Sequence, residues 1–262
     1  MKIFWAFIRQ AFQLVSIYRF NFFAQIFLIL LRMYAIYWLW RILYTQKPGA
    51  FGVDLNQMVT YGVMGMALEM FMWSRPQNYI SRQVKSGAID TDLMKPMDFH
   101  MQMLARSTGE TMVGIILALP ALLLAYFLLG VRLPHDIGTG VLFIFSLVLG
   151  FLVLFHLNFL LGSLSVVTLD IRHISWAYYS LVRFFGGQMV PLWLFPTFLA
   201  VFAQALPFQA TYYIPMSLYI GKLTGTEAIQ AIEFQVIWLA GLVLISRLAW
   251  NWAHHHLVVQ GG

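Results

Sequence analysis

Charged side chains are scarce in this 262-residue chain, and those able to do chemistry fall into two groups. The first group is Arg32, Glu69 and Arg183, each set inside a long apolar run. A lone charge at the centre of a bilayer costs about 2.5–3.5 kcal/mol on insertion scales, so each of these must face protein or water. Such residues can wall a polar path or gate, or they can pair between helices. Glu69, toward the inner end of its run, can also snorkel. Spacing along the chain does not pair them. The second group lies in residues 75–106, the only long polar passage, with Arg75, Arg82, Lys85, Lys95 and Arg106 beside Asp90, Asp92 and Asp98.

Signs of catalysis are few. The chain has no G-x-x-x-x-G-K-[ST] phosphate loop, no H-E-x-x-H zinc helix and no G-x-S-x-G elbow. The run His254, His255, His256 places imidazoles side by side near the end of the sequence, where solvation is the ordinary outcome. His156 and Asn158 sit in an apolar run and are expected to hydrogen-bond between helices. Neither a metal nor a cofactor is expected on this chain.

Within the polar passage, residues 79–86 form a short amphipathic pattern. Ile80 and Val84 are spaced i, i+4, Arg82 and Lys85 point away, and Gly87 stops the helix. Residues 89–96 then carry Leu93 and Met94 among acids and Lys95. A short exposed helix with a charged rim is what docking to a soluble partner requires. The competing reading is an ordinary solvated connection.

The elements that must hold these groups are membrane helices. Hydrophobic residues make up 61% of the chain and charged ones 10%, against about 25% charged in soluble domains. The expected fold is all-α and integral to the membrane, a single domain over 1–262. Residues 1–19 read as an amphipathic interfacial helix with Lys2 and Arg9 on its polar face, and no cleavable signal peptide is expected. Six spans follow, near 20–44, 55–73, 111–129, 140–167, from 174 through Gly186 and Gly187, and 229–252. Between the fifth and the sixth, Pro191, Pro196, Pro207 and Pro215 fall in an apolar stretch. Proline removes a donor and disfavours helix in the residue before it, so 191–221 is expected to form broken, re-entrant helices. With both termini inside, ten Lys/Arg residues fall on the cytoplasmic side and four outside, as the positive-inside bias demands. Glycine pairs permit close approach of helices, and Gly186 and Gly187 form such a pair just after Arg183.

The phrase Val84-Lys85-Ser86-Gly87-Ala88-Ile89-Asp90-Thr91-Asp92-Leu93-Met94-Lys95-Pro96 resembles the cytoplasmic signature of ABC type-2 exporter permeases. It is closest to the branch described as uncharacterised or multidrug-type. Phe195-Pro196, Leu206-Pro207-Phe208 and Pro215 are similar to that family's broken helices before the last span. The resemblance covers essentially the whole chain. It implies a coupling helix over 79–87, contacting an ATP-binding subunit through Ile80, Arg82, Val84, Lys85, Gly87, Asp90, Asp92 and Lys95. It implies a gate-side hairpin containing the four prolines. It also implies a dimer with a second copy or a related chain, whose seam is formed by spans one and five, with Glu69 beside the pathway. ATP and Mg would then sit on the partner subunit, with nucleic acid playing no part. The setting implied is a bacterial plasma membrane. The outer loops are short, unlike those of relatives with a sizeable external domain. The alternatives are a self-sufficient carrier or channel, which would favour repeated halves, and a lipid-modifying membrane enzyme, which would need convergent Asp, His or Ser residues at one depth.

Overall fold

The computed structural model describes residues 5, 6, 9, 19–47, 49–72, 74–168 and 171–255. Most of the interfacial helix expected over 1–19 lies outside the described residues, as do Asp170 and His256. Among the described residues the regular structure is entirely helical. The helices are α1 (Arg19–Gln46), α2 (Leu55–Phe71), α3 (Pro76–Ser86), α4 (Ile89–Leu93), α5 (Phe99–Leu129), α6 (Ile137–Thr168), α7 (Arg172–Phe185), α8 (Thr197–Ala205), α9 (Tyr213–Tyr219) and α10 (Gly225–His255). Two 3₁₀ turns, Leu192–Leu194 and Pro207–Ala210, break the stretch around α8. Four segments, Ala24–Gln46 of α1 and the whole of α5, α6 and α10, are long and apolar enough to cross a membrane.

Local chemistry sets the helix ends. Asp54 begins α2 with a capping box: its Oδ1 accepts from Gln57 N at 2.7 Å, and Gln57 Oε1 accepts from Asp54 N at 3.0 Å. Asp98 caps α5 by accepting from Met101 N at 3.2 Å. This cap corrects the sequence reading, which started the third span near residue 111. The polar residues 99–110 are helix, because Phe99, Met103 and Ser107 recur on one buried face. Pro120 lies inside the same helix. The short helix of the polar passage starts at Pro76 rather than at residue 79, and Gly87 ends it in the left-handed region at φ 70°.

A second correction concerns α7. It stops at Phe185 after 14 residues, about 21 Å of rise, so Gly186 and Gly187 form a turn rather than continuing the helix. Gly187 takes φ 73°, which glycine adopts without strain. Each of the four prolines stands at or near the start of an element, where a missing N–H costs little. Pro191 and Pro196 precede the first 3₁₀ turn and α8, Pro207 opens the second 3₁₀ turn, and Pro215 lies in the first turn of α9.

Packing differs between the two zones of the molecule. Where helices meet at one end of the bundle, a cluster of Ile80, Ile89, Phe99, Met103, Phe155, Phe159 and Trp250 joins α3 and α4 to α5, α6 and α10. Phe99 and Trp250 stack at 4.3 Å between centroids. Along the apolar helices, small residues and internal hydrogen bonds take over, as they do where lipid removes the hydrophobic drive. A Cβ on Gly114 would lie 1.9 Å from the Met70 carbonyl oxygen, so α5 crosses the end of α2 backbone to backbone. Gln235 donates to Ser146 O at 3.0 Å and to Ala210 O at 2.8 Å, tying α10 to α6 and to the second 3₁₀ turn.

The broken segment is anchored at three points. Trp193 Nε1 donates to Phe51 O at 3.0 Å, and Gln57 Nε2 donates to Ile220 O at 3.0 Å. Both ends of the segment therefore sit beside the turn between α1 and α2. Its middle reaches inward, where a Cβ on Gly150 of α6 would lie 2.7 Å from Ala210 O.

Gly162 of α6 seats α3: a Cβ there would meet Ile80 Cδ1 at 2.7 Å and Gln77 Cα at 3.0 Å. Overpacking of this kind costs about 1–3 kcal/mol. Gly162→Leu is expected to lower the thermal midpoint in detergent by several degrees, read by intrinsic tryptophan fluorescence. Gly241→Leu, whose Cβ meets open space, is the control expected to stay within about a degree.

Candidate functional site

Three embedded charges that the sequence leaves unpaired converge on one carboxylate. Glu69 stands in the last turn of α2. Its Oε2 is 3.5 Å from Arg32 Nη1 of α1 and 3.4 Å from Arg183 Nη2 of α7. Gln188, on the turn after α7, completes the group. Its Nε2 donates to Glu69 Oε2 at 3.3 Å and to Gly65 O at 3.1 Å, and its Oε1 accepts from Arg183 Nε at 2.7 Å. Gln188 was missed because an amide in an apolar run carries no charge signal. It is this residue that fixes the Arg183 guanidinium.

The members come from different heights on their helices: Arg32 lies roughly midway along α1, about 20 Å from either end at about 1.5 Å per residue, whereas Glu69 and Arg183 stand in the last turns of α2 and α7. Exposure is graded across the group: the side chain of Glu69 is 16% exposed, that of Arg183 35% and that of Arg32 53%. Two guanidinium groups on one carboxylate leave a formal charge of +1, and the surplus sits on its outermost member. What the arrangement can do is hold a negative group at the Arg32 side.

Gly186 and Gly187, expected with these charges at a seam between chains, make close contacts inside this one. Gly186 O accepts from Tyr213 N at 2.8 Å. A Cβ on Gly186 would lie 3.1 Å from Phe208 O, and Tyr61 Oη donates to Gly187 O at 2.7 Å. The close approach that glycine allows is used up against the broken segment and α2. His156 and Asn158 also bond between elements, His156 Nδ1 lying 2.8 Å from Ser246 Oγ and Asn158 Nδ2 donating to Ser74 O at 3.3 Å.

The second site is the polar end formed by α3, α4 and the start of α5. Its centre is Asp92, only 3% exposed. Lys95 Nζ donates to Asp92 Oδ1 at 2.6 Å, while Tyr79 Oη and Gln83 Nε2 donate to Oδ2 at 2.8 and 3.0 Å. Gln102 Nε2 donates to the Asp92 carbonyl at 3.0 Å and so ties α4 to α5. Burial by itself would raise the Asp92 carboxyl, but the hydrogen bonds from Lys95, Gln83 and Tyr79 outweigh it and hold it below 3.8. Burial, then the bond to Asp92, pushes the Tyr79 hydroxyl up to about 12, so it stays a donor at neutral pH. Arg106 lies 4.1 Å over the Tyr79 ring and 3.0 Å from Glu110 Oε1, and Glu110 Oε2 accepts from Ser74 Oγ at 3.0 Å. Glu110 and Tyr79 were not singled out from the sequence as partners of this end.

The docking residues expected from the sequence therefore separate. Ile80 is fully buried and Val84 half-buried in the cluster beneath α3, so these two hold the helix rather than meet a partner. Asp92 faces inward as well, because both carboxylate oxygens are spent within the chain. Asp90 is half-buried, and Gly87 serves as the cap. Arg82, Lys85 and Lys95 reach the surface with Met94, which is 78% exposed. Arg82 and Lys85 line a groove of about 650 Å³ with Arg75, Arg172, Trp176 and Tyr179, between α3 and the start of α7. Arg75 stacks 4.3 Å over the Tyr179 ring, and Gln77 hydrogen-bonds its hydroxyl.

These two sites, a charged group between helices and a braced polar end, belong to a multi-pass membrane protein. No curated protein matches the chain. The profile of the family described as ABC-2 family transporter protein matches residues 30–261, from within α1 to beyond the last helix. A match of that extent settles the family: the chain belongs to the ABC-2 transporters, as a membrane component of such a permease.

Proposed function

We propose that this chain is the permease subunit of an ATP-driven exporter, crossing a bacterial plasma membrane six times with both termini in the cytoplasm. Two permease chains, identical or related, form the pathway. A separate ATP-binding subunit, carrying ATP and Mg, docks on α3 and α4. The observation that carries the reading is the buried Asp92 latch. It makes α3 and α4 one rigid block on the ends of α5, α6 and α10, so force applied to the exposed Arg82 and Lys85 reaches the long helices. The 17-residue α2, about 25 Å long, is the second crossing, sheltered between α1 and α5. The fifth is α7 continued by the turn at Gly187 to Pro191, and the hairpin with Pro191, Pro196, Pro207 and Pro215 is the outer gate. The exposed faces of α1 and α7, Arg32 included, form the seam with the second chain.

The test is the double reversal Arg82→Glu with Lys85→Glu. In vesicles containing the permease and its ATPase, stimulation of hydrolysis by the permease is expected to fall at least about tenfold, the equivalent of about 1.4 kcal/mol of coupling. The thermal midpoint should stay within about two degrees, since both side chains are exposed. Undiminished stimulation removes the docking face.

Orientation is tested in intact cells, and the chain's lack of cysteine leaves no background. Lys222→Cys is expected to react with an impermeant maleimide from outside, and Lys95→Cys only after permeabilisation. Protection of position 222 in intact cells overturns the six-span arrangement.

A further inference from the structure

The group around Glu69 is unbalanced in a way that protein alone does not correct. Among the described residues Arg32 meets one acceptor, Glu69, at 3.5 Å, although a guanidinium has five N–H donors. Arg183, by contrast, is held by both Glu69 and Gln188. The remaining donors of this guanidinium, on a side chain 53% exposed, meet no acceptor among the described residues. An identical second chain carries the same group, so a pair of such chains holds the surplus twice. Apolar surface adjoins on both helices: Leu28 lies one turn before Arg32, Phe184 follows Arg183, and both are exposed.

We infer that Arg32, backed by the Glu69–Arg183–Gln188 group, receives the anionic head of an amphiphilic cargo whose apolar body lies along α1 and α7. This rests on the permease reading above and names the class of molecule that the pathway carries. A phosphate or carboxylate head supplies the missing charge and accepts the unused Arg32 donors, which a neutral or cationic head cannot do. Competition by an anionic membrane lipid separates cargo from resting lipid. Glu69 acts in the converse sense, holding the two guanidinium groups together while the site is empty.

The experiment measures equilibrium binding of tritiated dodecyl phosphate to the full chain in phosphatidylcholine nanodiscs. Saturable binding is expected, and neither dodecanol nor dodecyltrimethylammonium should compete. Arg32→Gln is expected to weaken binding about tenfold, the loss of roughly one charge-assisted hydrogen bond, while Arg32→Lys keeps it within about threefold. Both variants must elute at the native size-exclusion position, which the exposure of Arg32 favours. Equal competition by dodecanol or by the ammonium amphiphile overturns the inference, and so does unchanged binding in Arg32→Gln. If replacing a third of the disc lipid with phosphatidylglycerol displaces the probe, the site is a resting lipid site and the cargo assignment falls. Stimulation of the ATPase is read in parallel. Normal stimulation without anion selectivity sinks only the headgroup class, whereas selective binding without stimulation sinks the permease role and leaves the site standing.

Discussion

Glu69→Gln is expected to lower the thermal midpoint in detergent by about 5–10 °C and to abolish transport. The substitution preserves shape but removes the one carboxylate shared by Arg32 and Arg183, at 3.5 and 3.4 Å. Breaking a buried ion pair by deleting one partner costs about 3–5 kcal/mol, because the other charge remains. Here the lower end applies, since the Arg32 side chain is 53% exposed. The double variant Glu69→Gln with Arg183→Gln is expected to recover at least half of the lost stability, because it removes the more enclosed of the two stranded cations. A double variant no more stable than the single one would mean that the three side chains do not act as a unit, and the charge account of this site would be wrong.

Asp92→Asn is expected to lower the midpoint by a few degrees and to cut stimulation of the partner ATPase at least about tenfold. The carboxylate takes hydrogen bonds from Tyr79, Gln83 and Lys95, and an amide nitrogen replaces one of those acceptors with a donor. The long helices do not depend on these bonds, but the stiffness of the block does. Amide hydrogen exchange over residues 88–98 should accelerate by at least about tenfold, with exchange in α6 unaffected. The half-buried Asp90 gives the control, and Asp90→Asn should show neither effect. Because the Asp92 carboxyl is held below 3.8, its stabilisation is fully present above that value and is lost only as pH falls below it. The latch is therefore closed throughout the cytoplasmic range. Unchanged exchange in Asp92→Asn would remove Asp92 from the transmission path.

Glu110 and Gln188 show why site residues escape a linear reading. Glu110 stands i, i+4 from Arg106, a pairing visible only once residues 99–110 are read as helix, and nothing in its neighbours marks it as a partner of Ser74. Gln188 sits between a glycine pair and a proline, where turn chemistry hides its contact with Glu69. The start of α5 was legible in principle: Asp98 as a cap, followed by Phe99 and Met103 at i, i+4, is a helix signal. The density of charge drew that segment into the loop.

Composition and local chemistry by themselves determined the membrane class, the four long apolar helices, the breaks around the four prolines and the stop at Gly87, because each of these depends on residues within a turn or two of one another. Tertiary structure alone decided that Arg32 and Arg183 share Glu69, that Asp92 turns inward while Arg82 and Lys85 stay out, and that Gly186 and Gly187 approach residues 208–213 of the same chain. These depend on the rotation of each helix about its axis and on which faces meet. A charge pattern constrains neither of these, since each embedded charge requires only some partner, and packing chooses which.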